Sequence, residues 1–249
     1  MRLIRPAVNR GEQRVALAMS LAMLLVGGVA ILLMALLADR PDGVAVLGVA
    51  AALGIGVGLA WLIRAISSRG RPPGDDLARL LAPAFDDSYV LILAPRLPSV
   101  SSDLAALLVG PAGVRALVAR RWNGHYRVRG RAWEYDTHGR RGWIACRTNP
   151  SFDADAVADA VAAWARTALD ELSVSIVPVV AFPRAFSAIV LEEPTGEIVT
   201  SNNAPWWGQS IGRLQRMDAS RVARFVQSVM DASDTVAERS AATQHGLSR

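Results

Sequence analysis

Read from the N-terminus, the pattern of apolar and polar positions changes character twice. Val15–Ala38 and Gly43–Ile63 are uncharged runs of 24 and 21 residues, separated only by Asp39-Arg40-Pro41-Asp42. At 1.5 Å per residue each is long enough for a hydrocarbon core of about 30 Å, so the pattern predicts two spanning helices joined as an antiparallel hairpin. Beyond Ser67 the apolar runs shorten to strand length. Tyr89–Ala94, Asp103–Val109 and Ser173–Phe182 predict strands of a covered sheet, with Ala188–Leu191 and Glu197–Val199 as shorter edge strands. Between them, Val157, Val161, Trp164, Ala168 and Leu172 fall on one face of a helix over Asp153–Leu172, which packs on the sheet. Helix and following strand make a crossover of the right-handed kind. A last helix is expected from about Asp218 to Ala232, followed by a frayed polar tail.

The chain thus divides into a basic segment 1–14, a transmembrane hairpin 15–66, a Ser-, Gly- and Pro-bearing linker 67–73, a domain 74–233 and a tail 234–249. The fold class is α/β, a mixed sheet flanked by helices behind an N-terminal two-helix hairpin. Within the domain, Leu107–Gly124 reads as a β-hairpin. Pro111 suits the first central position of a tight turn, and Gly110 and Gly113 allow positive φ. The second hairpin strand is expected to end at Asn123-Gly124, with His125–Asp136 as one further strand. Trp206-Trp207-Gly208 reads as a loop, its tryptophans meeting a protein partner, lipid headgroups or the edge of the core.

Composition adds a membrane and takes away several chemistries. Mean hydropathy is +0.27 and the net charge is +5, carried by arginine with no lysine in the chain. Arg2, Arg5, Arg10 and Arg14 precede the first span and Arg64, Arg69 and Arg71 follow the second, against Arg40 between them. That asymmetry predicts both termini on the cytoplasmic side of the inner membrane. Neither span carries an ionisable residue, which argues against a conduction pathway. Gly54-x-x-x-Gly58 allows close helix packing, either with the first span, which carries Gly27 and Gly28, or between copies. Oligomeric state is not specified. Cys146 is the only cysteine, His125 and His138 lack partners at ligand spacing, and no nucleophile elbow or phosphate-cradling glycine loop occurs.

LLVGPAGV followed by RRWNG and RGRAWEYD resembles the nuclease-related domain family. The likeness extends upstream through GDDLARLLAPAFDDSYVLILAPRLP and downstream through RTNPSFDADAVADAVAAWARTAL, covering Gly74–Pro183. It implies a restriction-endonuclease-like mixed sheet with a metal-dependent nuclease site. That family's site uses an Asp at the start of the first hairpin strand and a Glu-x-Lys near the end of the second. Aligned on Gly110, Pro111 and Trp122, those places hold Ala105, Val118 and Arg120. Ala and Val offer no oxygen to Mg²⁺, and a guanidinium keeps its proton, so Arg120 suits a phosphate and not a general base. Asp153 stands where the family tends to place a Gln. The resemblance with these departures implies a membrane-anchored binding or scaffolding module without catalytic residues, metal or cofactor. The alternative is a Mg²⁺- or Mn²⁺-dependent nuclease using Asp103 with Asp75, Asp76 or Glu134 as displaced ligands.

Arg115–Arg147 holds nine arginines against Glu134 and Asp136, interleaved with Trp122, Tyr126, Trp133, Tyr135 and Trp143. Arg120, Arg121, Trp122, Arg127, Arg129 and Arg131 are the candidates for nucleic-acid contact, since guanidinium groups and aromatic planes suit phosphates and unstacked bases. A solvated sheet face and a surface for anionic lipid are the other two readings of the same residues.

Overall fold

The computed structural model describes residues 1–6, 11–36, 41–67, 73–137, 142–169, 174–184, 187–214 and 216–246. The expected connection through Asp39-Arg40, most of the linker, and His138, Arg140 and Arg141 lie outside them. The chain forms two compact units, Asn9–Pro72 and a larger one made of Met1–Val8 with Pro73–Arg249.

The smaller unit is two helices, α1 (Gly11–Leu36) and α2 (Pro41–Ser67). Within α1, Met19–Leu36 is long and apolar enough to cross a membrane, with a mean hydropathy of 2.5. The helices touch through glycine. A Cβ on Gly27 would lie 2.8 Å from the Ile55 side chain, and one on Gly54 would lie 3.0 Å from the Gly27 backbone. Gly28 and Gly56, by contrast, face open space.

The larger unit is a mixed α/β domain whose first strand comes from the extreme N-terminus. β1 (Arg2–Ile4) lies parallel to β2 (Val90–Leu93), in register Arg2 with Val90. A segment expected only to supply positive charge therefore forms an edge of the sheet. Next come α3 (Pro73–Leu81), a 3-10 turn at Ala82–Ala84, β2, and the hairpin β3 (Leu104–Gly110) and β4 (Gly113–Ala119). The turn is the two residues Pro111-Ala112, and Gly113 takes a φ of +100°. Gly110 is needed for room instead, since a Cβ there would lie 2.2 Å from the Tyr89 ring.

The stretch read as one strand over His125–Asp136 is a second hairpin, β5 (Gly124–Arg129) and β6 (Ala132–Asp136), turning at Gly130 with a φ of +58°. β7 (Trp143–Ala145) and α4 (Pro150–Ala168) follow. Then come β8 (Ile176–Phe182), β9 (Ser187–Glu192), β10 (Glu197–Thr200), α5 (Ala204–Gly212) and α6 (Ala219–Gly246). Two expectations are corrected here. The tryptophan loop is the helix α5, opened by Pro205 in its first turn, where a missing N–H costs nothing. The expected tail continues as helix to Gly246.

Two sheets result, one of order β1-β2-β3-β4-β8-β10 and one of order β7-β6-β5-β9. In the first, only β3 runs against the others; β4, β8 and β10 are parallel neighbours. Both faces are covered, which explains why β2 and β4 are almost continuously apolar. Leu77, Leu81, Trp207 and Ile211 of α3 and α5 pack on one face. Val157, Val161, Phe225 and Val229 of α4 and α6 pack on the other, joined by Val128 and Trp133 of the second sheet.

Candidate functional site

Because five strands of the large sheet share one direction, the carboxyl ends of β1, β2, β4, β8 and β10 gather at one end with the start of β3. This is the end at which the chain leaves β1 for the smaller unit and returns at α3. Gly74 packs on Leu93 there, and Arg5 reaches Asp75 at 2.5 Å.

The positions flagged by the family resemblance also lie at this end. Ala105 sits in a bulge between Leu104 and Ala106, its carbonyl accepting from the Ala94 N–H at 2.8 Å, and its methyl packs on the core under α3 and α5. Val118 is fully buried in the opposite core. Ala105 and Val118 thus serve the packing of the two layers of the domain. Arg120 lies two residues on, just past the end of β4, and its N–H donates to the Ala181 carbonyl at 2.9 Å. Its guanidinium reaches Asp153 at 2.6 Å and Asp103 at 3.7 Å. Asp153 stands in the first turn of α4, whose N-cap is Asn149 with Pro150 behind it. Asp103 is set by a turn in which its N–H donates to the Ser101 hydroxyl at 3.1 Å.

Beside this triad, Arg121 and Arg184 both approach Asp76, at 3.7 Å and 3.0 Å, and Asp76 is nearly buried. Sequence reasoning missed Arg184, because it lies in a short loop after β8 with no motif around it. The proposed substitute ligands are thus each matched by an arginine: Asp75 by Arg5, Asp76 by Arg121 and Arg184, Asp103 by Arg120. Glu134 is on the other sheet, accepting from the Arg127 Nε at 2.8 Å. Among the described residues no group of three or more His, Cys, Asp and Glu side chains converges as metal ligands.

The second sheet carries the remaining candidate arginines. Arg127 lies over the Trp143 ring at 4.8 Å and pairs with Glu134, while Arg129 pairs with Glu192 at 3.0 Å. Arg131 is in the turn after β5, ion-paired with Asp155 and stacked over Phe152. Trp122 packs among Tyr126, Trp133 and Phe182 with ring centroids 5.0 to 5.9 Å away, so it caps a small aromatic core. The Cys146 thiol is raised above its usual value by burial, with Glu134 adding to the effect.

On α5 the two tryptophans part company. Trp207 is buried, its Nε1–H donating to Glu197 at 3.0 Å and its ring edge-on to Phe85. Trp206 remains 70% exposed. Comparison with family models, with curated proteins and with solved structures gave no match.

Proposed function

We propose that this protein is a membrane-anchored binding module. Its domain resembles a nuclease-related domain in which a guanidinium stands where a metal ion and its ligands belong. The observation that carries this reading is Arg120 held between Asp103 and Asp153 while Ala105 and Val118 belong to the core. A fixed cation in that position repels a divalent ion and attracts a phosphate.

The anchor is a two-span hairpin with both of its ends cytoplasmic. The interlocking of Gly27 with Gly54 supports α1 and α2 acting as a pair. So does the chain path: β1 and α3 belong to one folded domain, so the chain between them crosses a bilayer an even number of times. The arginine-rich flanks set the cytoplasmic side.

The ligand we propose is a nucleic-acid phosphate backbone at Arg120 and Arg121, with Arg184 beside them. Ligands of open α/β sheets collect outside the carboxyl ends of the strands, which is where these three lie. On the outer face of the second sheet, Arg127 and Arg129 pair likewise with Glu134 and Glu192, so the choice of the sheet end rests on its place at the carboxyl ends of the strands. Since carboxylates already occupy the sheet-end arginines, binding is weak and strongly salt-dependent.

The test uses the full chain in detergent with labelled single- and double-stranded DNA, in the presence and absence of Mg²⁺ or Mn²⁺. Binding without cleavage, weakened by added salt and by Arg120→Ala with Arg121→Ala, is expected. Metal-dependent cutting abolished by Asp103→Ala would establish the nuclease with displaced ligands instead. Absence of any DNA binding would leave a protein scaffold as the function.

A further inference from the structure

The geometry points to a second ligand site within the α/β domain, a pocket for a linear aliphatic carboxylate between β1 and the first half of α6. A cavity of about 640 Å³ lies there, at the amino ends of β1 and β2 and so at the opposite end of the sheet from Arg120. Small-ligand pockets span about 300–1,000 Å³, and this one falls inside that range. All of its walls belong to the larger unit. Those walls are fixed before any ligand arrives. The Pro111 carbonyl accepts from the Arg216 and Met217 N–H groups at 2.7 and 2.9 Å, tying the start of α6 to the turn between β3 and β4. Asp218 caps α6, accepting from the Ser220 hydroxyl at 2.7 Å and the Arg221 N–H at 2.8 Å. Opposite, the Arg2 N–H donates to the Tyr89 carbonyl at 2.8 Å and holds β1 in place. A pocket pinned from both sides costs a ligand little to order.

The floor selects the chain. Val90, Met217 and Val222 are buried and Ile4 and Val226 half-buried, and among the described residues no aromatic ring lines the cavity. Aliphatic walls give water no hydrogen-bond partner but bury methylene groups well, and the Met217 thioether adapts to a flexible chain. The mouth selects the head group. Arg2, Asp87 and Asp218 are exposed there. Asp87 pairs with the Met1 amino group at 2.9 Å and Asp218 is taken up by the helix cap. Among the described residues the Arg2 guanidinium makes no ion pair or hydrogen bond, so the uncommitted charge at the mouth is positive and suits an anion. The two neighbouring aspartates oppose a second negative charge, which favours a monoanionic carboxylate over a phosphate dianion.

The full chain in phosphatidylcholine nanodiscs, at mildly alkaline pH, tests this by irradiation with a diazirine-bearing decanoate and mapping of the labelled peptides by mass spectrometry. Labelling is expected in residues 1–6 and 216–226 above the level in the rest of the domain. Decanoate is expected to displace it about threefold more effectively than decylamine. Arg2→Gln is expected to abolish that preference. Ala223→Trp, at an exposed position on the mouth, is expected to fill the entrance and abolish the labelling, while labelling of the apolar helices stays unchanged in both variants. Labelling of the two segments no stronger than elsewhere in the domain, or equal in wild type and Ala223→Trp, overturns the pocket. Displacement by decylamine as effective as by decanoate overturns the carboxylate and assigns the cavity to a cationic amphiphile drawn to Asp87 and Asp218.

Discussion

Arg115 near the start of β4 and Arg120 just past its end both hold carboxylates, yet they belong to different media. Arg115 is 2% exposed, pairs with Glu197 at 3.0 Å and also donates to the Ala112 carbonyl at 3.2 Å. Glu197 in turn accepts from Trp207, so one carboxylate ties β4, β10 and α5 together. Arg120 is 20% exposed and shared between two aspartates that are themselves about half in solvent. At the buried end the pair is structural, because losing Glu197 strands the Arg115 charge in the core. At the open end water compensates the loss, so the same chemistry is available for exchange with a ligand.

The largest effect that sharpens this contrast is Glu197→Ala, which leaves Arg115 buried without a counter-charge. It is expected to cost roughly 3 kcal/mol, read by chemical denaturation of the detergent-solubilised chain. Replacing Arg115 and Glu197 together with apolar residues of similar size is expected to recover most of that loss. Gly110→Ala, at the same end, pushes a methyl into the Tyr89 ring and is expected to cost about 2 kcal/mol in the same assay. At the open end, Asp153→Asn is expected to change stability by less than about 1 kcal/mol. It should also tighten DNA binding measured by fluorescence anisotropy at low salt. A large stability loss there, with no gain in binding, would erase the distinction between the two ends.

The smallest effect is a pH dependence. Burial raises the Tyr89 hydroxyl above its ordinary 10.0, with Arg115 pulling the other way. The unfolded chain then gives up this proton more readily than the folded one, so stability is lost as pH climbs past about 10 and is unaffected below it. Tyr89→Phe is expected to flatten that alkaline decline in pH-dependent denaturation. Among the described residues the buried hydroxyl has no hydrogen-bond partner, so the substitution carries little penalty at neutral pH.

The hairpin β3–β4 was legible because Gly-Pro-Ala-Gly interrupts two apolar runs, and a turn of two residues leaves little freedom in register. β5 and β6 merged into one expected strand because Gly130-Arg131 is short and the flanking residues keep strand character. α5 is hidden in the sequence by Pro205 and Gly208, which read as loop residues. The first instead starts the helix, and the second lets it approach Ala84. No local signal marks β1, three residues whose strand exists only through pairing with Val90–Ile92 far along the chain. At the site, Ala105, Val118 and Arg120 are singled out in the sequence only through the expected family resemblance. The arginine partners were not: Arg120 meets Asp153 and Arg131 meets Asp155 through tertiary folding, with no fixed spacing to reveal it.

β1 also sets a rule for anyone wishing to crystallise the domain. Cutting the gene just ahead of Pro73 discards a strand of the sheet along with the two apolar helices, uncovering the backbone edge of β2 and part of the apolar surface that Ile4 covers. The workable excision keeps residues 1–6 and splices them by a short flexible bridge to Pro73, looping out only the greasy helices. Truncations that express as aggregates therefore report a missing edge and say nothing about whether the domain folds without lipid.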